Sequence, residues 1–387
     1  MSNGAARHAE REDTEPFLFF ATAAAGTEGA VRDELRELGF RGVRADRGGV
    51  HFRGAMSEGF RACLWLRCAV RVLLLVAEHA CPDEDALYEG VASVDWSTVL
   101  DAKKTLAVRA FSKHSALTHT QYIAQRTKDA VVDQLRDQHG ERPDVNREDP
   151  DVLLFVHLAH DRARVYLDLA GESLHLRGYR RVTVAAPLKE SLAAALLRLS
   201  EWDRERPLVD PMCGSGTFAI EAAAWSRDMA PGLSRKRFGF ERWRSHGDAE
   251  VRALRELREE AEARANAKKK GAMVWAFDAD RSAVEAARAN ARAAGLDLRI
   301  DQRPIDALEP LPSPGHVIVN PPYDERLPGD AALYDAMAGA FRRMAGHRIA
   351  VLAGAPEVER ALPRRATKVQ DVHNGPIRCK LFVADVP

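Results

Sequence analysis

From residue 190 onward, short apolar segments alternate with helical ones, and this alternation limits the fold more than any other feature of the sequence. The apolar segments PLVD, MVWAFD, HVIVN and RIAVLAG are joined by segments with helical character, such as FAIEAAAWS and SAVEAARANARAAG. Strands joined by helices run parallel, and the helices then cover both faces of the sheet. The pattern predicts an α/β domain over residues 191–387, with a pair of strands near 366–385 completing it.

The first half of the chain follows a different order, in which strands and helices form two smaller α+β units. Residues 1–15 are polar and lack an apolar segment, so they are predicted to be a disordered tail and not a signal peptide. We expect one unit over 16–68 and a second over 69–170, which ends in a hairpin that turns at His160–Arg162. No linker rich in Gly, Ser or Pro separates the units, so they are predicted to pack together, and the basic segment 171–190 is predicted to be a hinge.

Composition excludes several classes of protein. Lys and Arg total 57, as do Asp and Glu, so any contact with nucleic acid requires a local basic patch. The longest apolar stretch, 70–77, contains Arg71 and is far shorter than the roughly 20 residues that span a bilayer. Five cysteines without a C-x-x-C pair disfavour a disulfide framework and a zinc site. We therefore expect a soluble, cytoplasmic protein with no metal and no membrane partner.

The first motif that suggests chemistry is LVDPMCGSGTFAIEAA, residues 208–223. A strand ends at Asp210, and a loop with Gly214 and Gly216 leads to a helix that begins near Thr217. Glycines let the main chain approach a ligand closely at the carboxyl end of a strand. The segment contains neither the dinucleotide pattern G-x-G-x-x-G nor the phosphate-binding pattern G-x-x-x-x-G-K-[ST], which disfavours NAD and ATP.

Acidic residues follow the next two strands. Asp278 ends the segment MVWAFD, where a carboxylate can accept hydrogen bonds from both hydroxyls of a ribose. Asp306 follows the third strand and could accept a hydrogen bond from an adenine amine. The alternative for Asp278 and Asp280 is a purely structural role as helix N-caps.

The third motif, VIVNPPYDERL, ends an apolar strand in Asn-Pro-Pro-Tyr. Pro321 and Pro322 have no N–H, so they hold an extended turn and leave the preceding carbonyls free to accept hydrogen bonds. Asn320 offers a carboxamide oxygen and Tyr323 a flat ring. This set suits a planar substrate with an exocyclic amine, whereas an ordinary turn does not require these residues in this order.

Together, DPMCGSGT, FDAD and NPPY resemble the class I S-adenosylmethionine-dependent methyltransferases that methylate exocyclic or amide nitrogens. The stretch from TKDAVVDQL to HLRGYR looks like an RNA-binding THUMP domain, and APGLSRKRFGFERW and HNGPIRCKLF are similar to segments of THUMP-containing guanine-N2 RNA methyltransferases. The resemblance implies a Rossmann-like domain with a mostly parallel seven-stranded sheet, preceded by a ferredoxin-like domain and the THUMP domain.

Two residues depart from the family pattern, because Asp324 follows NPPY where glycine is usual and Ala276 replaces the glycine two residues before the second acid. Family members with ribosomal substrates often carry a second methyltransferase domain, for which 387 residues leave no room.

The resemblance also implies roles for individual residues. S-adenosylmethionine is the implied cofactor, and its binding residues are expected to be Asp210, Pro211, Cys213, Gly214, Ser215, Gly216, Thr217, Asp278 and Asp306. The implied catalytic residues are Asn320, Pro321, Pro322 and Tyr323, with Asn320 Oδ1 and the carbonyl of Pro321 accepting hydrogen bonds from the substrate amine. A role for Asp324 in proton removal is left open.

The implied substrate is a flipped guanine in RNA, methylated at N2, with 23S rRNA as the first expectation and tRNA as the alternative. The residues expected to contact RNA phosphates are Arg126, Lys128, Arg177, Arg180 and Arg181. Methylation of adenine in DNA or of glutamine in a protein, and a non-catalytic RNA-binding or assembly protein, are the other readings. The sequence does not predict an oligomeric state.

Overall fold

A computed structural model of the chain describes residues 16–183, 187–268, 270–322, 331–354, 356–362 and 365–387. The strands within these ranges are β1 Phe17–Thr22, β2 Arg41–Asp46, β3 Gly49–Gly54, β4 Arg71–Ala80, β5 Thr105–Lys113, β6 Asp144–Val145, β7 Val152–Ala159, β8 Arg162–Asp168, β9 Leu208–Asp210, β10 Val274–Asp278, β11 Arg299–Gln302, β12 His316–Val319, β13 Arg348–Ala353, β14 Lys368–Asn374 and β15 Ile377–Asp385. The α-helices are α1 Glu28–Glu37, α2 Met56–Trp65, α3 Glu84–Ala92, α4 Thr120–His139, α5 Glu190–Leu199, α6 Thr217–Ser226, α7 Asp248–Ala267, α8 Arg281–Ala293 and α9 Ala331–Arg342.

The first half of the chain forms one continuous sheet, with the strand order β2-β3-β1-β4-β8-β7-β5-β6. β4 pairs antiparallel with β1 on one side and with β8 on the other. The two α+β units expected from the sequence therefore share a central strand. β2 was not predicted from the sequence, because most of its residues are exposed and it has no alternation of apolar and polar positions.

Helices α1 to α4 cover one face of this first sheet. Their apolar side chains, such as Leu35, Leu64 and Ile123, form a core with Leu106 and Val156 of the strands. The long helix α4 begins where His119 Nδ1 accepts a hydrogen bond from the N–H of Tyr122. It ends at Gly140, whose φ of 75° favours glycine.

The second sheet has the order β11-β10-β9-β12-β13-β15-β14. β9 to β13 run parallel, whereas β15 is antiparallel to both of its neighbours. This architecture confirms the predicted Rossmann-like domain with a mostly parallel seven-stranded sheet. The strand order reverses at β9, which lies between β10 and β12, and ligands bind at the carboxyl ends of strands around such a reversal.

A buried ionic cluster lies where the two halves of the chain meet. Arg177 is only 3% exposed and donates hydrogen bonds to the carbonyls of Leu174 and Arg67. Its Nε lies 3.6 Å from a carboxylate oxygen of Glu221 on α6. Tyr179 donates a hydrogen bond to the same carboxylate over 3.1 Å. The segment that follows β8 is therefore attached to both the first sheet and the second domain.

None of the described helices combines the length and the apolar character that crossing a membrane requires. Within the same part of the chain, His, Cys, Asp and Glu side chains form no group of three or more that could hold a metal ion.

Candidate active site

Three sequence motifs meet at one edge of the second sheet. Asp210 ends β9, Asp278 ends the neighbouring β10, and Asn320 follows β12 on the other side of β9. Because these strands are parallel, their carboxyl ends face the same crevice. Motifs separated by more than 100 residues therefore form one site.

The loop after β9 is held against the end of β10. The N–H of Gly214 donates a hydrogen bond to Asp278 Oδ2 over 2.8 Å, and the N–H of Cys213 donates to the carbonyl of Phe277 over 2.9 Å. Gly216 has a φ of 86°, and a Cβ built there would lie 3.0 Å from the Cβ of Ala287 on α8. Both the backbone conformation and the close approach of α8 therefore explain glycine at this position.

Two polar side chains fasten the same loop from outside. Arg180 donates from Nη1 to Ser215 Oγ over 2.9 Å and from Nη2 to Thr217 Oγ1 over 3.2 Å, while its Nε is bound to Glu190 over 2.9 Å. Asn290 of α8 donates from Nδ2 to the carbonyl of Ser215 over 3.1 Å. Protein contacts thus hold the loop in place before a ligand binds. Ligand binding therefore costs less conformational entropy of the loop.

Burial controls the protonation of the groups at the bottom of the crevice. Asp210 is 1% exposed, and desolvation raises its pKa well above the usual range, with the hydrogen bond from the N–H of Met212 acting against this and the nearby charge of Asp278 adding to it. Burial also raises the pKa of the Cys213 thiol, so this cysteine stays protonated and unreactive. A ligand with a positive charge would be favoured beside these two carboxyl groups.

Asn320 presents an oxygen that lacks a partner. Its Oδ1 is buried and accepts no hydrogen bond from any residue in the described ranges. Leaving a buried acceptor unpaired costs about 1–3 kcal/mol, so a ligand or an ordered water that donates a hydrogen bond to this oxygen would be favoured. Pro321 is buried and Pro322 half-buried directly after it. The expected catalytic residue Tyr323, as well as Asp324, lies outside the described residues.

Of the other expected cofactor residues, Pro211, Ser215 and Thr217 lie in the loop after β9 and are buried. Asp306 lies in a short 3₁₀ helix after β11, with an exposed side chain. Its assignment to an adenine amine stays a prediction.

The structure corrects part of the expected RNA surface. Arg177 cannot contact a phosphate as expected, because it is buried and paired with Glu221. Arg180 is mostly buried and is engaged by Glu190, Ser215 and Thr217, so its role is to hold the loop.

The other three residues expected at RNA remain at the surface. Arg126 pairs with Asp85 on the outside of the first sheet's helical layer, and Lys128 pairs with its neighbour Asp129. Arg181 is exposed, and its side chain has no hydrogen bond or ion pair with any of the described residues.

The residues of the crevice fit S-adenosylmethionine. Asp278 has the acceptors for a ribose, and the carboxyl group of Asp210 would face a positive charge. A sheet of this order with these three motifs at its carboxyl edge defines an S-adenosylmethionine-dependent methyltransferase domain.

Comparison with known proteins gives the family. Residues 177–382 match the RMKL-like methyltransferase domain, residues 18–73 the RlmL ferredoxin-like domain and residues 81–168 the THUMP domain. The chain belongs to this RMKL-like methyltransferase family, which confirms the resemblance seen in the sequence.

Three similar proteins illustrate the relationship. The ribosomal RNA large subunit methyltransferase K/L of Syntrophotalea carbinolica is 42% identical over 96% of this chain and 54% of its own length. The crystal structure of SMU.472, described as a putative methyltransferase and complexed with SAH, is 34% identical with a TM-score of 0.86, over 97% of this chain and 99% of that one.

A Listeria monocytogenes structure described as a predicted N6-adenine-specific DNA methylase is 30% identical with a TM-score of 0.86, over 96% of this chain and 97% of that one. This chain spans about half the length of the curated relatives that it matches.

Proposed function

We propose that this protein transfers a methyl group from S-adenosylmethionine to the exocyclic N2 amine of a guanine in RNA, with 23S rRNA as the substrate. The observation that carries the proposal is the buried Oδ1 of Asn320, which follows β12 beside the cofactor crevice and has no hydrogen-bond donor among the described residues. An exocyclic amine is such a donor. The THUMP match over residues 81–168 supports RNA as the molecule that carries the amine.

Methyl transfer to this amine depends mainly on how the amine is oriented. The lone pair of a guanine amine is delocalised into the ring, so the amine is a poor nucleophile and must be held in line with the group it attacks. Asn320 Oδ1 and the carbonyl of Pro321 would each accept one of its hydrogens, which fixes the plane of the amine. S-adenosylmethionine supplies an electrophilic methyl group when bound. The amine becomes acidic only after attack, so the site needs no strong base.

The target base must leave its stack to reach this crevice. A base inside a duplex cannot bring its amine to the carboxyl edge of a sheet, and flipping costs a few kcal/mol, least for an unpaired base. A guanine in a single-stranded region or at a weak pair is therefore the proposed target.

The class of RNA rests on the names of relatives. The Syntrophotalea protein is named for the large ribosomal subunit, and this favours rRNA over tRNA for the present chain. We also propose that the reaction occurs in the cytoplasm, where the five free, buried cysteines would remain reduced. The division of the chain into a ferredoxin-like domain, a THUMP domain and a methyltransferase domain is part of the same proposal.

The test is transfer of labelled methyl groups to RNA from cells that lack the gene. The RNA is separated by size after the reaction, and the labelled nucleoside is identified. Asn320→Ala should abolish the label while leaving cofactor affinity within twofold of the wild type. Gln138→Ala, which removes an exposed amide on α4, serves as the matched control and should retain full activity.

Each result of this assay supports a different function. Label in N2-methylguanosine of the large rRNA supports the proposal, and the same nucleoside in tRNA keeps the chemistry but changes the substrate. Label in adenine of added DNA would instead favour the activity named for the Listeria protein. If the purified protein binds the cofactor and labels no nucleic acid, the proposed function is wrong.

A further inference from the structure

A cleft of about 840 Å³ lies between the first sheet and the segment 234–242 of the methyltransferase domain, and we call it the junction cleft. Eight cationic and five acidic side chains line it, in a chain whose formal charge is zero. Ligand pockets for small molecules are mostly apolar, so this lining favours a polyanion instead. The cleft is separate from the crevice that contains Asp210 and Asp278.

Three of the five acids of the cleft are paired with arginines. Arg242 binds Asp149 over 2.5 Å and Asp151 over 2.6 Å, and Arg71 pairs with Asp168. These pairs fix the walls of the cleft and neutralise most of the negative charge that would oppose an anion there, leaving Glu148 and Glu172.

Three other cations of the lining are free to bind a ligand. Arg109 on β5, Arg181 and Lys236 are exposed, and none of them has a side-chain hydrogen bond or ion pair with another residue in the part of the chain that the structure describes. They come from the first sheet, the connecting segment and the methyltransferase domain respectively. An anion that contacts all three would therefore bridge both halves of the protein.

An exposed aromatic ring lies near Arg109. Phe111 lies two residues after Arg109 on the same face of β5, with 53% of its surface exposed. Its ring is stacked on Phe155, with 6.1 Å between ring centroids and 6° between planes. The small apolar cluster on this face contains only strand residues of the described chain, because α1 to α4 pack on the other face. The ring is thus available for stacking.

The junction cleft is connected to the cofactor loop by hydrogen bonds. Arg181, which lines the cleft, donates its N–H to Asn290 Oδ1 over 2.7 Å. Asn290 in turn holds the carbonyl of Ser215 over 3.1 Å. A ligand in the cleft would therefore sit close to the loop that prepares the methyl-transfer site.

We propose that the junction cleft and Phe111 bind a single-stranded segment of the RNA substrate, with phosphates on Arg109, Arg181 and Lys236 and a base on Phe111. Positively charged grooves with exposed aromatic rings are how proteins bind single strands without reading their sequence. This inference rests on the proposed function, because it names RNA as the polyanion. It assigns the RNA contact to a composite surface of both domains.

The test measures binding of a fluorescent 12-nucleotide single-stranded RNA to the full chain by anisotropy, over a series of salt concentrations. The double variant Arg109→Glu/Lys236→Glu should bind at least about tenfold more weakly, and the slope of log K against log salt should fall by about 0.7 for each lost contact. Phe111→Ala should weaken binding by about tenfold without changing that slope.

Two further variants give the experiment its controls. Arg252→Glu reverses an exposed charge on α7, outside the cleft, and should bind within twofold of the wild type. Glu172→Gln removes an exposed acid from the cleft and should tighten binding. Circular dichroism and thermal unfolding of every variant show whether the fold is kept.

RNA binding by the variants tests the junction cleft, and methyl transfer by the wild type tests the proposed function. If the wild type methylates RNA and Arg109→Glu/Lys236→Glu still binds it within twofold, the junction cleft is not the RNA site. If the variants lose RNA binding and the wild type transfers no methyl group to RNA, the cleft assignment holds and the proposed reaction is wrong. If the wild type does not bind the 12-nucleotide RNA, the cleft assignment is wrong, and the methyl-transfer assay decides the proposed function separately.

Discussion

Arg180 donates a hydrogen bond to Ser215 Oγ over 2.9 Å, which joins the segment after the first sheet to the loop that follows β9. Arg180 is itself held by Glu190 at the start of α5. The position of the cofactor loop therefore depends on a residue that lies before the methyltransferase sheet in the sequence. Sequence reasoning assigned this arginine to RNA, and its engagement by two loop hydroxyls assigns it to positioning instead.

We expect Arg180→Lys and Ser215→Ala to be coupled in their effect on the affinity for S-adenosylhomocysteine. A lysine cannot reach both hydroxyls and Glu190 in the fork geometry of a guanidinium, so each single variant should bind more weakly. The double variant should lose about 1 kcal/mol less binding free energy than the sum of the losses in the two single variants, because the hydrogen bond between Arg180 and Ser215 is removed only once. Isothermal titration calorimetry measures the four affinities.

The control for this cycle pairs Arg180→Lys with Ser93→Ala, which alters a hydroxyl on the far side of the first sheet's helical layer. These two changes should be additive. Additivity of Arg180→Lys with Ser215→Ala would show that Arg180 does not act through the loop.

Asp278→Asn should weaken cofactor binding by about 10- to 100-fold. The amide oxygen can still accept from the N–H of Gly214, so the loop after β9 keeps this contact. The NH2 group cannot accept from the N–H of Asp280, as Oδ1 does, and the charged acceptor for the ribose is lost. Hydrogen bonds to charged groups contribute about 1.5–3 kcal/mol. Asp297→Asn changes an exposed aspartate after α8 and should leave affinity unchanged. Equal affinities for Asp278→Asn and the wild type would remove Asp278 from the cofactor site.

Gly216→Ala should destabilise the protein more than Gly295→Ala does. Both glycines have positive φ, 86° and 69°, so both substitutions cost about 1–2 kcal/mol of backbone strain. At Gly216 the new Cβ would lie 3.0 Å from the Cβ of Ala287. At Gly295 no atom lies within 4 Å of the new Cβ. Urea unfolding of both variants gives the difference, and cofactor affinity should fall for Gly216→Ala alone. Equal losses of stability would mean that α8 moves aside without cost.

Stability should fall between pH 7.5 and pH 5 because of His316. Burial lowers the pKa of this histidine from 6.5 to about 4, with the charge of Arg348 acting in the same direction. The unfolded chain therefore takes up a proton below pH 6.5 that the folded chain does not, so the free energy of unfolding decreases as the pH drops. The contribution is about 2 kcal/mol at pH 5.

Replacing the ring with an amide should remove this part of the pH dependence. His316→Gln is expected to reduce the difference in unfolding free energy between pH 7.5 and pH 5 by about 2 kcal/mol, measured with urea. His139→Gln, at the exposed end of α4, should behave like the wild type. An unchanged pH dependence in His316→Gln would assign the acid sensitivity to other groups.

The methyltransferase half could be predicted well because its signals are local. Buried parallel strands are continuous apolar runs, and each site motif directly follows such a run, so Asp210, Asp278 and Asn320 could be placed at one sheet edge before the fold was known. The fold class was confirmed for the same reason. Tyr323 stays a prediction, because it lies outside the described residues.

The roles of the basic residues could not be predicted in the same way. A sequence shows that Arg177 is charged, but its burial depends on Glu221, a partner 44 positions away on another element. The junction cleft is even harder to predict from the sequence. Arg109 and Lys236 are separated by more than 120 residues and line the same cleft only when both domains have formed. Neither residue has a local pattern that would distinguish it from other surface cations.

The shared strand β4 makes the two units of the first half depend on each other for folding. The ferredoxin-like match ends at residue 73 and the THUMP match begins at 81, so most of Arg71–Ala80 falls between two units that each appear separate in the sequence. Yet removing this strand would leave two unpaired sheet edges, on β1 and on β8. The two units are therefore one folding unit, because each of them needs β4 to cover a sheet edge that would otherwise be open to other chains.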